Sequence, residues 1–286
     1  MKNVNKILFP TDFSETAQNA FRYCLVLADK LNASIQLLHV IYPEYEVMDI
    51  PLVAATATKD KIAAAKTVMK TFVDYGLTQV QVGEQLEHMP EVQSEVEIGN
   101  AVNTICRIAK RDEIDLIVMG TKGSHNALER TFGSVTTGVI RKAPAHTWVV
   151  PERALYQGIH ILAYATDLNE ADPVHIMEVG KLFDPFCSIL HCVHVNTEHS
   201  IEKLLDLANL EATFSNNSPV VQIKFHQIPG DSVVEGLEDF VDYHNVDVLV
   251  MYAPHHDLLE SIFHRSFTRE MALETEIPLL VLKEKS

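Results

Sequence analysis

The 286-residue sequence has few cysteines, no long apolar run and no excess of basic residues. An excess of acidic over basic residues gives a formal net charge of −16, which argues against broad nucleic-acid or anionic-membrane binding. No window approaches the roughly 18 apolar residues of a membrane span, and the N-terminal decapeptide is too polar for a signal peptide. We therefore expect a cytoplasmic protein. The cysteines lack CxxC spacing, so we expect reduced thiols rather than a disulfide framework at Cys24, Cys106, Cys187 and Cys192.

The chain contains one pattern twice. The segment Phe9–Glu15 (FPTDFSE) aligns with Tyr164–Glu170 (YATDLNE), 155 positions later. The run Asp115–Met119 aligns with Asp247–Met251 at an offset of 132, so the first half carries about 23 extra residues. Repetition of this length predicts two domains of one design, which we assign to residues 1–151 and 152–286.

Each half alternates apolar β-branched runs with amphipathic helical patterns. In the first half the predicted strands are Lys6–Pro10, Ser34–Val40, Asp115–Met119 and Thr147–Val150. The predicted helices are one that Ser14 caps, Thr58–Val73 with unsettled borders, Asn100–Lys110 and one from Gly133/Ser134 to Lys142. Alternating strands and helices imply right-handed βαβ units. The fold class is therefore α/β, with two tandem, doubly wound, Rossmann-like parallel-sheet domains.

Glycines with a regular spacing surround the loop after the third predicted strand. Gly120 follows that strand, Gly123 comes three residues later, and Gly133 precedes Ser134 at the start of a helix. Glycine lets backbone N–H groups approach an anion closely, and a helix N-terminus favours negative charge. The spacing is neither a Walker A loop nor GxGxxG. It nevertheless predicts phosphate binding, with hydroxyl donors from Ser134 and Thr136 and a counter-charge from Lys122 or Arg130.

These features together resemble the universal stress protein family in its tandem form, whose fold belongs to the adenine-nucleotide α-hydrolase-like group. The resemblance rests on Pro-Thr-Asp-Phe-Ser after the first strand, His-Val at the end of the second, and Gly-x2-Gly-x9-Gly-Ser. It implies an ATP site, with or without Mg²⁺, in which Asp12 and Val40 contact the adenine and ribose. The site residues that the resemblance implies are Pro10, Thr11, Asp12, Val40, Met119, Gly120, Lys122, Gly123, Gly133, Ser134, Val135 and Thr136.

The second half lacks the glycines. At an offset of 132, Tyr252, His255 and Arg265 replace the three loop glycines, while Asp167 and Ser266 keep their residue types. We therefore expect this domain to have lost the nucleotide site and to serve as a structural partner, in a pseudo-two-fold packing that resembles the family's dimers. A homodimer of the whole chain is also possible in this family. Alternatively, Arg265 binds another anion, although a surface or ion-paired arginine is the more ordinary interpretation.

Other functions are less well supported. His255, His256, Asp257 and His264, or Cys192 with His194, could be metal ligands, but they lack the spacing of a structural zinc site, so we expect no metal. An enzyme of the same fold group, such as a slow ATPase with Asp12 and Glu129 near the phosphates, would need a denser glycine loop after the first strand. A partner-binding module without nucleotide is more plausible for the second half. The prediction is thus an ATP-binding stress sensor or regulator with no catalytic residues.

Overall fold

A computed structural model of the chain describes residues 4–43, 51–83, 86–121, 133–197, 201–214, 222–252 and 277–283. Within these ranges, the side chains of residues 51–57 and 201–205 are not described. The chain divides into two compact units, Val4–Leu155 and Tyr156–Glu284. None of the described helices is long and apolar enough to cross a membrane.

The first unit is built on five parallel strands. They are β1 (Lys6–Pro10), β2 (Ser34–Ile41), β3 (Val92–Ile98), β4 (Leu116–Gly120) and β5 (His146–Val150). Their order across the sheet is β3-β2-β1-β4-β5. The order changes direction between β1 and β4, and in open parallel sheets ligands bind outside the carboxyl ends of the strands at such a point.

Helices cover both faces of this sheet. They are α1 (Glu15–Leu31), α2 (Pro51–Gly83), α3 (Ala101–Arg111) and α4 (Ser134–Lys142). Helix α1 packs beside α2, and α3 packs beside α4. Side chains of β1 alternate between the two layers: Phe9 contacts Phe21 of α1 at a ring distance of 5.3 Å, whereas Leu8 packs with Ile105 and Val139 of α3 and α4. This arrangement confirms the predicted α/β class and doubly wound sheet.

Two features of the first unit differ from the sequence-based prediction. Strand β3 was not predicted, because it is an edge strand in which Gln93, Ser94 and Ile98 are exposed and no continuous apolar run appears. Helix α2 is longer than the predicted Thr58–Val73 and begins at Pro51. Proline is common in the first turn of a helix because the missing N–H would have no partner there.

The second unit repeats the strand order of the first. Its strands are β6 (Ile161–Ala165), β7 (Ile189–Asn196), β8 (Gln222–Pro229), β9 (Val248–Tyr252) and β10 (Leu279–Leu282). They are all parallel, in the order β8-β7-β6-β9-β10. The described helices are α5 (Asp172–Phe183) with a 3₁₀ turn at Asp184–Phe186, α6 (Ile201–Phe214) and α7 (Val233–His244).

Candidate functional site

The turn after β1 is fixed by short hydrogen bonds. The backbone N–H of Thr11 donates to the carbonyl of Leu38 (2.9 Å), which continues the pairing of β1 with β2. The Thr11 hydroxyl accepts from the N–H of Phe13 (3.0 Å), and the Asp12 carboxylate accepts from the N–H of Ser14 (3.0 Å). Ser14 then accepts from the N–H of Ala17 (3.1 Å) as the predicted N-cap of α1.

An aromatic residue in this turn has an uncommon backbone conformation. Phe13 has φ = 65°, in the left-handed region that bulky residues rarely adopt. Its ring stacks on the His39 imidazole at 4.3 Å and meets Phe72 of α2 edge-on at 5.6 Å. His39 donates from Nδ1 to the Thr11 carbonyl (2.8 Å). His39 therefore holds the end of β1 in place from the neighbouring strand.

Helix α4 is anchored to the end of β4. The N–H of Gly133 donates to the carbonyl of Thr121 (2.6 Å), and the Thr136 hydroxyl donates to the carbonyl of Gly120 (3.0 Å). These two bonds join the residues on either side of positions 122–132. They bring the start of the helix to the carboxyl end of the strand.

The N-terminus of α4 presents backbone donors. Its first helical hydrogen bond runs from the N–H of Thr137 to the carbonyl of Gly133 (3.0 Å). The helix itself therefore gives no partner to the N–H groups of Ser134, Val135 and Thr136. Aligned peptide dipoles make this end of a helix positive, which favours an anion there.

A cavity of about 240 Å³ lies between these elements at the carboxyl end of the sheet. Ten of the twelve predicted site residues line it: Pro10, Thr11, Asp12, Val40, Met119, Gly120, Gly133, Ser134, Val135 and Thr136. Five further residues that were not predicted line it as well: Ala17, Leu38, His39, Ala101 and Ile105. The predicted residues Lys122 and Gly123, with Glu129 and Arg130, lie outside the described residues.

The lining separates into an apolar part and a polar part. Leu38, Val40, Ile105 and Met119 give aliphatic or thioether surface, which suits a flat apolar group such as a nucleobase. The α4 N–H groups suit an anion. Asp12 is the sole acidic residue among the described lining residues. This combination can bind a ligand that joins a base to a phosphate.

Three residues of the site make contacts that the sequence did not predict. A Cβ added at Gly120 would lie 3.2 Å from Thr16 Cγ2 and 3.7 Å from Ala20 Cβ, so close packing of α1 on β4 requires this glycine. The Gly133 N–H and the Thr136 hydroxyl already donate to backbone carbonyls. The anion donors of α4 are therefore backbone N–H groups, with the Ser134 hydroxyl beside them.

The second unit repeats the turn. The Thr166 hydroxyl accepts from the N–H of Leu168 (2.8 Å). Leu168 has a positive φ of 61°, and the equivalent Phe13 of the first unit also has a positive φ. His194 donates from Nδ1 to the Thr166 carbonyl (3.0 Å), as His39 does to Thr11. The two strand-end histidines, 155 positions apart in the sequence, thus have the same structural role.

The second unit has larger side chains at the positions that align with Ala17 and Ala20. Asp172 is in the position of Ala17, and it accepts from the Tyr164 hydroxyl (2.7 Å), the Thr166 hydroxyl and the N–H of Asn169 (3.0 Å). Asp172 is 1% exposed, and this burial raises the pKa of its carboxyl. His175 replaces Ala20.

Tyr252, which replaces Gly120, packs on His175 with ring centroids 3.6 Å apart. The pair Gly120 and Ala20 in the first unit has therefore become two aromatic rings in contact.

We predicted that the histidine clusters hold no metal, and the structure describes only some of the residues in question. His255, His256, Asp257, His264, Arg265 and Ser266 lie outside the described residues. Of the other proposed pair, Cys192 is buried and His194 is bonded to Thr166. Within the described ranges, no group of three or more His, Cys, Asp or Glu side chains could hold a metal ion.

Comparison with known proteins identifies relatives of both the sequence and the fold. The model of the universal stress protein family matches residues 3–151. A universal stress protein of Methanocaldococcus jannaschii is 28% identical over 154 residues, which are 52% of this chain and 95% of that protein. A second one from the same organism is 25% identical over 151 residues, covering 51% and 81% of the two chains.

The fold matches beyond the first unit. The crystal structure of a universal stress protein from Archaeoglobus fulgidus covers 99% of this chain and 97% of its own, with a TM-score of 0.69 and 17% identity. At this identity the likeness shows the fold alone.

Proposed function

The chain belongs to the universal stress protein family, and from this premise we propose that its first unit binds ATP or a related adenine nucleotide. The base and ribose occupy the apolar part of the cavity, beside Asp12 and Val40. The phosphates lie at the N-terminus of α4. Binding serves a regulatory role in a stress response, in which the bound nucleotide changes the conformation or the partner of the protein.

The observation that carries this proposal is the position of the α4 N-terminus. Ser134, Val135 and Thr136, whose N–H groups have no partner in the helix, line the same cavity as Val40 and Met119. A ligand that fills the cavity and has no negative charge would leave the positive end of the helix uncompensated. A nucleotide satisfies both parts of the lining.

We further propose that the second unit binds no nucleotide in this manner. Asp172 would place a carboxylate where the first unit has Ala17, which lines the cavity. The two proposed domains, 1–151 and 152–286, therefore differ in function. The second is a structural or partner-binding domain. We also propose that the chain can form a homodimer.

We also propose that the protein is not an enzyme and that it is located in the cytoplasm. The described lining contains no second carboxylate beside Asp12 to hold a metal ion or activate a water. Hydrolysis of ATP, with or without Mg²⁺, is therefore expected to be slow at most. Cys24 and Cys192 are buried and unpaired, as is usual in a reducing compartment.

The first experiment identifies the natural ligand. The protein is purified, denatured and centrifuged, and the released small molecules are separated by ion-pair chromatography and mass spectrometry. We expect ATP or a related adenine nucleotide at up to one molecule per chain. Accumulation of ADP in a time course with added ATP would instead indicate hydrolysis. An empty protein whose melting temperature does not respond to ATP would contradict the proposal.

A pair of arginine substitutions tests where the nucleotide binds. Gly133→Arg introduces the residue type that aligns with it in the second half, and its extended backbone (φ = −60°, ψ = 154°) accepts any residue. We expect ATP binding to be lost while the fold persists. Ser232→Arg is the matched control, because Ser232 is also an extended N-cap without a side-chain cap bond, but on α7 of the second unit. Equal loss in both variants would mean that the site is misplaced.

A further inference from the structure

Three histidines of the second unit form a cluster around a phenylalanine. His191 on β7, His226 on β8 and His244 on α7 have pairwise ring-centroid distances of 4.9, 4.9 and 5.4 Å. Phe240 of α7 contacts all three rings, at 5.7, 5.1 and 4.2 Å. We call these four residues the histidine cluster. It forms part of the contact of α7 with the sheet.

The cluster has buried ring nitrogens without partners. Nδ1 of His191 and Nε2 of His226 are buried and make no hydrogen bond in the described part of the chain. His191 itself is only 3% exposed. A protonated imidazole at either position would carry an additional N–H donor and a positive charge to a buried nitrogen that has no hydrogen-bond acceptor in the described part of the chain.

The surroundings disfavour the charged forms of His191 and His226. Burial lowers the pKa of His191 to about 4, and the positive forms of His226 and His244 act in the same direction. Burial also lowers the pKa of His226, with a further contribution from His244 and Lys224. His191 and His226 are therefore neutral at neutral pH.

The charged groups on the packed elements do not offset this effect. Strand β8 contributes Lys224, which is positive, and β6 presents Ala163 as the register partner of His191. Helix α7 carries four acidic residues, and the pKa of Glu238 is raised by burial and by its acidic neighbours. These are Glu235, Glu238, Asp239 and Asp242.

A metal site is a weaker explanation for the same rings. Three imidazoles are a common zinc set, but they must direct one nitrogen each to a shared point. No group of three such side chains in the described ranges is arranged in that way. The rings instead pack face or edge against one another and against Phe240.

We propose that the histidine cluster is an acid-sensitive lock, which holds α7 against β7 and β8 at neutral pH and releases it in mildly acidic solution. Protonation of one ring places a cation in contact with two other imidazoles and with an apolar ring. Detachment of α7 returns the rings to water, where they can be charged. This inference is independent of nucleotide binding by the first unit.

The pH range follows from the direction of the shift. A histidine whose folded pKa lies below the ordinary value near 6.5 stabilises the fold fully above that value. The stabilisation is lost as the pH falls from about 6.5 towards 4, because the open state binds the proton more tightly. For His191 alone the equilibrium constant for opening should rise by roughly one to two orders of magnitude over this range.

Hydrogen exchange of the full-length protein tests the lock. Peptides that cover α7 (233–244) are followed by mass spectrometry at pH 7.5 and pH 5.0, with intrinsic exchange rates corrected for pH. We expect protection of α7 to fall at least tenfold at pH 5.0, while α3 (101–111) of the first unit keeps its protection. Unchanged protection of α7 would overturn the proposal.

Two variants separate the cluster from general acid effects. His191→Phe with His226→Phe keeps flat rings in the cluster but removes two titrating groups, so its α7 protection should change less than threefold between the two pH values. His160→Phe is the matched control, because the His160 side chain is 74% exposed in the same unit; it should respond as the wild type does. A double variant that loses protection as the wild type does would refute the lock.

A direct titration covers the case in which the double variant does not fold. The ring signals of His191 and His226 are followed by NMR in the wild-type protein between pH 7.5 and 4.5. Both should titrate below the ordinary histidine range near pH 6.5, together with the signals of α7, because burial lowers both pKa values. Titration of both rings near pH 6.5 without any change in α7 would also overturn the proposal.

Discussion

A substitution at the N-cap of α4 should stabilise the protein and yet weaken its proposed ligand binding. Gly133 occupies this N-cap with extended backbone angles and makes no side-chain cap bond. In Gly133→Asp, the new carboxylate would accept hydrogen bonds from the N–H groups of Val135 or Thr136, as N-cap aspartates do. Those are the groups to which we assign the phosphates, so the side chain and the ligand would compete for them.

Gly133→Asp should raise the stability of the protein and lower its affinity for ATP. Relative to glycine, an N-cap aspartate contributes a few tenths of a kcal/mol, and its charge near the helix N-terminus about 0.3–1 kcal/mol more. For a unit of this size, that raises the melting temperature without nucleotide by about 2 °C. A charge-assisted hydrogen bond is worth about 1.5–3 kcal/mol, so losing one to the phosphate weakens ATP binding by about 10- to 100-fold.

Calorimetric titration with ATP and melting curves without ATP measure both effects on the same samples. Gly133→Ala is the control, because alanine has no capping oxygen; it should melt slightly lower than the wild type and bind ATP within about threefold of it. The stabler variant should therefore be the weaker binder. If Gly133→Asp bound ATP as tightly as Gly133→Ala does, the phosphates would not lie at the N-terminus of α4.

Three further predictions concern stability, measured by urea denaturation. Gly120→Ala should cost about 1–3 kcal/mol, because its Cβ would lie 3.2 Å from Thr16 Cγ2, and Thr16→Ser should restore part of this loss. An arginine hydrogen bond lowers the pKa of Asp112 to about 2, so Asp112→Asn should destabilise the protein at pH 6, with a difference that disappears as the pH falls from 3.8 to 2. Tyr164→Phe should cost about 1–3 kcal/mol by removing a donor to buried Asp172, and no loss would contradict that hydrogen bond.

The predictable part of the fold is the part whose burial leaves a pattern in the sequence. The inner strands β1 and β4 are buried on both faces and read as continuous apolar runs. The edge strands β3 and β8 expose polar residues, such as Ser94 and Lys224, so their sequences look like loops. Their existence depends on pairing with a neighbour that is far away in the sequence.

The candidate site was predictable for a related reason, with limits that are also physical. Glycine spacing located the strand end and the helix start, and ten of the twelve residues line one cavity. Spacing could not show that Gly120 serves the packing of α1, because that depends on Thr16, which lies on another element. Nor could it include Ala101 and Ile105, because their place in the site depends on α3 following the unpredicted strand β3.

The two hydrogen bonds that anchor α4 to β4 have a practical consequence. One joins the Gly133 N–H to the Thr121 carbonyl, and the other joins the Thr136 hydroxyl to the Gly120 carbonyl. Neither bond has a donor or an acceptor from positions 122–132, so substitutions there leave the bonding groups of both unchanged. Segments from other proteins can therefore be grafted between Thr121 and Gly133, to give one scaffold a series of ligand preferences.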